Sequence, residues 1–263
     1  MEKNKYTVLI VLLCIAAALL AGFLALHIVR GGRTIIRNIE ENTALYELCY
    51  DESFDNTFTE IALKSNAGDM SVVPSGDGKV HVRIWADEKK VKVTAVGTTL
   101  NITANAEGKV KIGINTYNKR LTKIELALPA DYSGEISVKS NYGNLEADAF
   151  PQASFKANCD YGNLDIDAAA GLKAECAYGN VTVGTLSERV NIKADYGNVE
   201  IDTLALTEDG SIECEAGNVE IGAADTIGIE SETEVGSADI RPNPATYTAT
   251  LKIETEVGNI TVK

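Results

Sequence analysis

A short phrase recurs seven times in the second half of this chain, most legibly as Tyr-Gly-Asn followed by an apolar–polar–apolar strand. The phrases centre on Gly143, Gly162, Gly179, Gly197, Gly217, Gly236 and Gly258, at intervals of 19, 17, 18, 20, 19 and 22 residues. A unit of that length cannot bury its own apolar side and must lay it against the next copy. The period therefore predicts an all-β fold, a parallel β-helix or solenoid whose coils of 17–22 residues each hold two or three short strands. Such arrays serve as scaffolds or binding surfaces more often than as enzymes.

Counting from each glycine shows which way the side chains face. Apolar residues stand two and four positions on, as in Leu164 and Ile166, Val199 and Ile201, or Val219 and Ile221. Between them lie Glu146, Asp165, Thr182, Glu200, Glu220, Asp239 and Thr261. Side chains alternate across a strand, so the first set points inward and the second outward. The glycine is expected to supply a corner angle that strains other residues. Asn follows it in six copies and Ser237 in the seventh, and stacked Asn amides are expected to bond from coil to coil. Tyr142, Tyr161, Tyr178 and Tyr196 precede it, replaced later by Ala216, Val235 and Val257. At a rung spacing of about 4.8 Å these rings should form a ladder. Packing at the corner is the expected role, and sugar binding is the alternative.

Three positions before the glycine the column is uniformly small: Ser140, Cys159, Cys176, Ala194, Cys214, Thr233 and Thr255. These cysteines are expected to be buried and unbridged, because stacked parallel positions aim their Cβ vectors side by side. Neither His27 nor His81 lies near them in sequence, as a zinc site would want. The outward acids, with Asp148, Asp167 and Asp202, are expected to form a solvated face, and a calcium-binding face is the sharper alternative. No catalytic, cofactor-binding or metal-ligating residue is assigned, and no cofactor is implied.

The net charge of −14 is unevenly spread. From Asp131 onward 24 acids stand against 8 bases, a balance of −16, while the first half carries 14 acids and 16 bases, or +2. Phosphates would be repelled by the array, so nucleic acid is excluded as a partner. Polysaccharide cleavage is the least favoured reading: it needs a placed base and cationic grip, and the array has few cations. The sequence also has no nucleophile elbow, P-loop, zinc motif or dinucleotide fingerprint.

Thr7 to Val29 is a 23-residue run without a charge. It would span roughly 34 Å as a helix, enough for a membrane core and longer than a signal-peptide core. The expected organisation is a tail over 1–6, a transmembrane helix over 7–29 and a juxtamembrane linker over 30–57 with a short helix in Thr34–Asp51. An N-terminal β region over 58–130 and the repeat solenoid over 131–263 follow as one continuous domain. Basic residues flank both ends of the span and leave its orientation open, although the short head favours a signal anchor with the bulk of the chain outside. The last coil ends at Val262-Lys263 without an evident cap, which predicts an edge open to self-association.

One apolar N-terminal span, the strands SNAGDMSVV and IELALPADYSGEISVKSNYGNLEAD, and the repeated YGN-V-x-I phrases resemble the bacterial "putative adhesin" family over Phe58 to Lys263. The resemblance implies a right-handed parallel β-helix outside the cell membrane, linked to adhesion or envelope stress, with no established site motif. A membrane-anchored, extracytoplasmic binding or scaffolding module at the cell envelope is the leading expectation, its ligand an envelope polymer, a surface or a protein. A regulatory accessory of an envelope-stress system is the alternative.

Overall fold

The computed structural model describes residues 46–106 and 121–263. Period-two stretches bounded by turn residues become strands: β1 (Leu48–Phe54), β2 (Glu60–Ser65), β3 (Gly68–Ser75), β4 (Val80–Trp85), β5 (Val91–Val96), β6 (Thr99–Ala104), β7 (Thr122–Pro129) and β8 (Glu135–Tyr142). Three long strands follow, β9 (Leu145–Tyr161), β10 (Leu164–Tyr178) and β11 (Val181–Tyr196). The chain ends with β12 (Val199–Leu204), β13 (Gly210–Ala216), β14 (Val219–Ala223), β15 (Ile227–Val235), β16 (Ala238–Ile240), β17 (Ala249–Val257) and β18 (Ile260–Val262). A 3-10 turn at Glu88–Lys90 joins β4 to β5, and the Asp87 carboxylate caps it by accepting the Lys89 N–H.

These strands form two ladders, one from the segments before each corner glycine and one from the segments after it. The first runs β5, β6, β2, β8, β9, β10, β11, β13, β17, β15. The second runs β1, β4, β7, β3, β9, β10, β11, β12, β14, β18, β16. Pairing is parallel except where β5 meets β6 and where β4 meets β1 and β7. Strands β9, β10 and β11 contribute to both ladders. The inward columns interlock as expected: Leu145, Leu164, Val181, Val199, Val219 and Ile260 are register partners and each is at most 1% exposed. Burying each such side chain stabilises by about 1.5–3 kcal/mol, so the repeated core column carries much of the fold.

Chain order and stacking order diverge at both ends. Strands β2 and β3 lie between β6/β7 and β8/β9. At the other end β17 and β18 insert between β13/β14 and β15/β16. The expectation of an open edge at Val262-Lys263 is thus corrected: Val262 pairs with Ile221 on one side and Ile240 on the other. Self-association through that coil loses its structural basis. Composition explains the swap. Ser231 and Thr233 occupy inward positions in β15 where β17 carries Ile253 and Thr255, and Ala238 stands where β18 has Ile260. The more apolar coil goes inside and the more polar one closes the stack, as capping repeats do.

Residues 241–248 cover the start of that last rung, around Ile227 and Ile229. The Arg241 guanidinium donates to the carbonyls of Ala224 and Ile227, Asn243 bonds both backbone groups of Ile229, and Tyr247 lies against Gly228.

A second correction concerns the juxtamembrane segment. The end of the expected helix, from Leu48, is the edge strand β1, paired antiparallel with β4. Cys49, Tyr50 and Phe54 pack on the core from it, and the Phe54 ring meets Phe58 edge-on at 5.9 Å. The gain from pairing the edge of β4 overrides the local helical spacing at Leu48. The expected transmembrane run over 7–29 and the remainder of that helix lie outside the described residues. Among the described residues no helix is long and apolar enough to cross a membrane.

Candidate binding face

The corner between the two ladders is built from glycine upward. A Cβ on Gly162, Gly179, Gly197, Gly217 or Gly258 would fall well under 3.0 Å from the carbonyl oxygen of the glycine one rung away. Gly179 and Gly197 also have φ of 150° and 147°, where an L side chain is strained. Gly217 and Gly258 lack that backbone angle yet keep the same close approach. Proximity between rungs is therefore the more general reason for glycine here, and the expected corner angle is only part of it. Gly68 joins the column through Gly143, so Ser65–Val73 supplies a true early copy of the corner.

Beside the glycines runs a hydrogen-bonded side-chain ladder. The backbone N–H of Asn144 donates to Asp69 Oδ1 at 2.8 Å, and that of Asn163 donates to Asn144 Oδ1 at 2.9 Å. The pattern continues through Asn180, Asn198, Asn218 and Asn259, and ends where Ser237 gives both its N–H and its hydroxyl to Asn259 Oδ1. Each asparagine thus satisfies the corner N–H of the next rung, which ties neighbouring corners together.

On that base stand the tyrosines. Successive ring centroids of Tyr142, Tyr161, Tyr178 and Tyr196 lie 5.0, 4.9 and 5.0 Å apart, with planes within 5° of parallel. The four tyrosines are 41, 46, 46 and 51% exposed. Their faces are spent on one another, so what the column shows to solvent is ring edges and hydroxyls at a constant interval. The stripe continues through Ala216 to Val257 and Val235, which are 54% and 63% exposed. Tyr196 therefore turns its far face toward the small Ala216.

The cysteine column lies inward of this corner. Cys159 and Cys176 are register partners and, with Cys214, are buried free thiols. Contact with Cys159, and then burial, push the Cys176 thiol up, while burial and the nearby Glu215 raise Cys214 to about 11. The hydrogen bond from Cys176 lowers the buried Cys159 instead, whereas thiols that hold their protons as firmly as Cys176 and Cys214 are poor nucleophiles and poor metal ligands.

One constellation escaped the sequence reading. Antiparallel pairing of β1 with β4 sets Ser53 opposite His81, with Ser53 Oγ 2.8 Å from Nδ1, while Nε2 lies 2.8 Å from Asp77 Oδ1. Residues 28 apart carry no common spacing signal, and only the i, i+4 relation of Asp77 and His81 was visible. The chain has the three residue types of a hydrolytic triad but not its setting. Ser53 and Asp77 are exposed, and neither they nor His81 line any of three grooves formed by the described residues. Nucleophilic catalysis wants a cleft with donors aimed at the developing oxyanion. Here the contacts pin the edge strand and the Ser75–Lys79 turn to each other. The outward acids do not converge either: among the described residues no group of three or more His, Cys, Asp and Glu is placed to hold a metal ion.

The Toastrack DUF4097 family model matches residues 58–263. A crystal structure described as a putative adhesin from Bacteroides fragilis is similar over 81% of this chain and 96% of its own, at 17% identity and a TM-score of 0.52. A putative cell adhesion protein from Clostridium sporogenes is similar over 81% of this chain and 98% of its own, at 16% identity and a TM-score of 0.41. A putative lipid binding protein from Parabacteroides distasonis is similar over 81% and 96%, at 16% identity and a TM-score of 0.43. No curated protein matches the chain.

Proposed function

Because the chain belongs to the Toastrack DUF4097 family, we propose that it is a non-enzymatic, adhesin-like binding module of the cell envelope. Residues 7–29 tether it to the membrane and the stacked domain lies outside. The tyrosine corner is its contact surface, and one observation carries that reading. Four exposed rings held 4.9–5.0 Å apart and within 5° of parallel present an evenly spaced row of phenolic hydroxyls on a rigid scaffold. A row of that kind suits a polymer with a regular hydroxyl-bearing repeat. An extended peptide returns to the same face only about every 6.7 Å, a poorer match. The neighbouring Asp160, Asp195 and Glu215 favour a neutral or basic polymer over an acidic one. An envelope polysaccharide is the ligand class that fits.

The test is retention of the purified full-length protein on chitin and on alginate beads, a neutral and an acidic glycan. Retention on chitin, weak retention on alginate, and loss on chitin in Tyr161→Ala/Tyr178→Ala with an unchanged melting curve are the expected results. Equal retention of parent and variant would overturn the assignment of the corner.

A further inference from the structure

The swapped final rung leaves one strand edge open. Strand β15 bonds to β17 and β16 bonds to β18, and neither has a partner on its other side among the described residues. Asn243 closes that edge only at Ile229, accepting its N–H at 2.8 Å and donating to its carbonyl at 3.1 Å. From Glu230 to Asp239 the chain is exposed except for the half-buried Thr233.

The charge on this edge is predominantly negative, with Lys193 and Lys252 set among the acids. Glu230, Glu232 and Glu234 alternate along β15, with Glu254 and Glu256 on β17 and Glu213 and Glu215 on β13 behind them. Most of these acids border a groove of about 300 Å³ floored by Cys214 and Thr255. Lys252 is already engaged, 2.6 Å from Glu254. A second copy laid on the edge would set glutamate against glutamate, which is repulsive at strand spacing. The open backbone and the surrounding carboxylates fit a strand of opposite charge.

We propose that the outer edge of β15 accepts an extended Lys/Arg-rich segment of a protein partner as an added strand. Its basic side chains lie over Glu230, Glu232 and Glu234 at a rung spacing of about 4.8 Å. The intervening side chains face Ser231 and Thr233, so small polar residues suit them. This surface shares none of the four tyrosines with the corner, although Glu215 borders both, and either assignment stands if the other fails.

The experiment titrates a fluorescent heptapeptide of alternating Lys and Thr into the purified full-length protein and follows anisotropy. Saturable binding is expected, weakened at least about tenfold by Glu232→Lys/Glu234→Lys. N-methylation of alternate peptide nitrogens, which keeps the charge but removes strand bonding, should weaken it as strongly. Glu146→Lys/Asp165→Lys, on the other ladder, should leave it unchanged. Absence of saturable binding, equal binding of the N-methylated peptide, or equal loss in the second variant would overturn the proposal. Sedimentation showing a dimer that Glu232→Lys/Glu234→Lys abolishes would assign the edge to a second copy instead.

Discussion

The backbone N–H of Asn198 donates to the side-chain oxygen of Asn180 at 2.9 Å, one rung away. The same relation runs from Asp69 to Ser237, so the side chain of each corner completes the backbone of the next. Asn180→Ala removes the acceptor and leaves one corner N–H to water. The expected loss is about 0.5–1.5 kcal/mol in urea unfolding. Asn180→Asp, which keeps the oxygen as Asp69 does, should cost less.

Glycine at the corner is a stricter demand. Gly179→Ala combines an unfavourable φ of 150° with a Cβ driven into the carbonyl of Gly162, and should cost about 3 kcal/mol or more. Gly76→Ala, where nothing lies within 4 Å of the added carbon, should stay within about 0.5 kcal/mol of the parent. Equal melting of the two variants would contradict the close approach of the rungs.

Rung order can be read by truncation. Ending the chain after Thr248 removes β17 and β18, on which both β15 and β16 depend for pairing. Hydrogen exchange should then show residues 227–240 unprotected and β13 and β14 weakened. If coils stacked in chain order, 227–240 would remain protected. In the intact chain Leu251→Ala, at a position with no exposed surface, should cost about 2–5 kcal/mol.

The repeat was visible because its columns are periodic. Inward Val199 and Ile201, the Tyr161–Tyr178 ladder and the Asn163–Asn180 chain all follow from fixed offsets from a glycine. What offsets could not show is which rung lies beside which. Gly258 precedes Gly236 in the stack because Ile253 and Ile260 are more apolar than Ser231 and Ala238, a comparison between rungs rather than a spacing within one. Leu48 departs from its helical expectation for a related reason. Its local spacing was helical, but the unpaired edge of β4 decided its state. The Ser53–His81–Asp77 contact depends on that same pairing and was equally out of reach.

Cys214 makes the stack sensitive to alkali. Its folded pKa is raised to about 11 by burial, so the folded state favours the protonated thiol. Its contribution is fully present below the unfolded thiol pKa of about 8.5 and is lost as pH rises toward 11. Cys214→Ala, which places in that column the residue found at Ala194, should flatten the fall in melting temperature across that window. An unchanged fall would assign the alkaline loss to other groups. At pH 8, iodoacetamide should label the half-buried Cys49 before Cys159, Cys176 and Cys214.

Placement outside the membrane is the claim on which the binding role depends, and protease shaving of intact cells tests it most directly. With a tag after Lys263 and lysed cells as control, loss of the tag from intact cells is the expected result. A tag protected in intact cells and digested only after lysis would put the domain inside, and the adhesin-like role would fail.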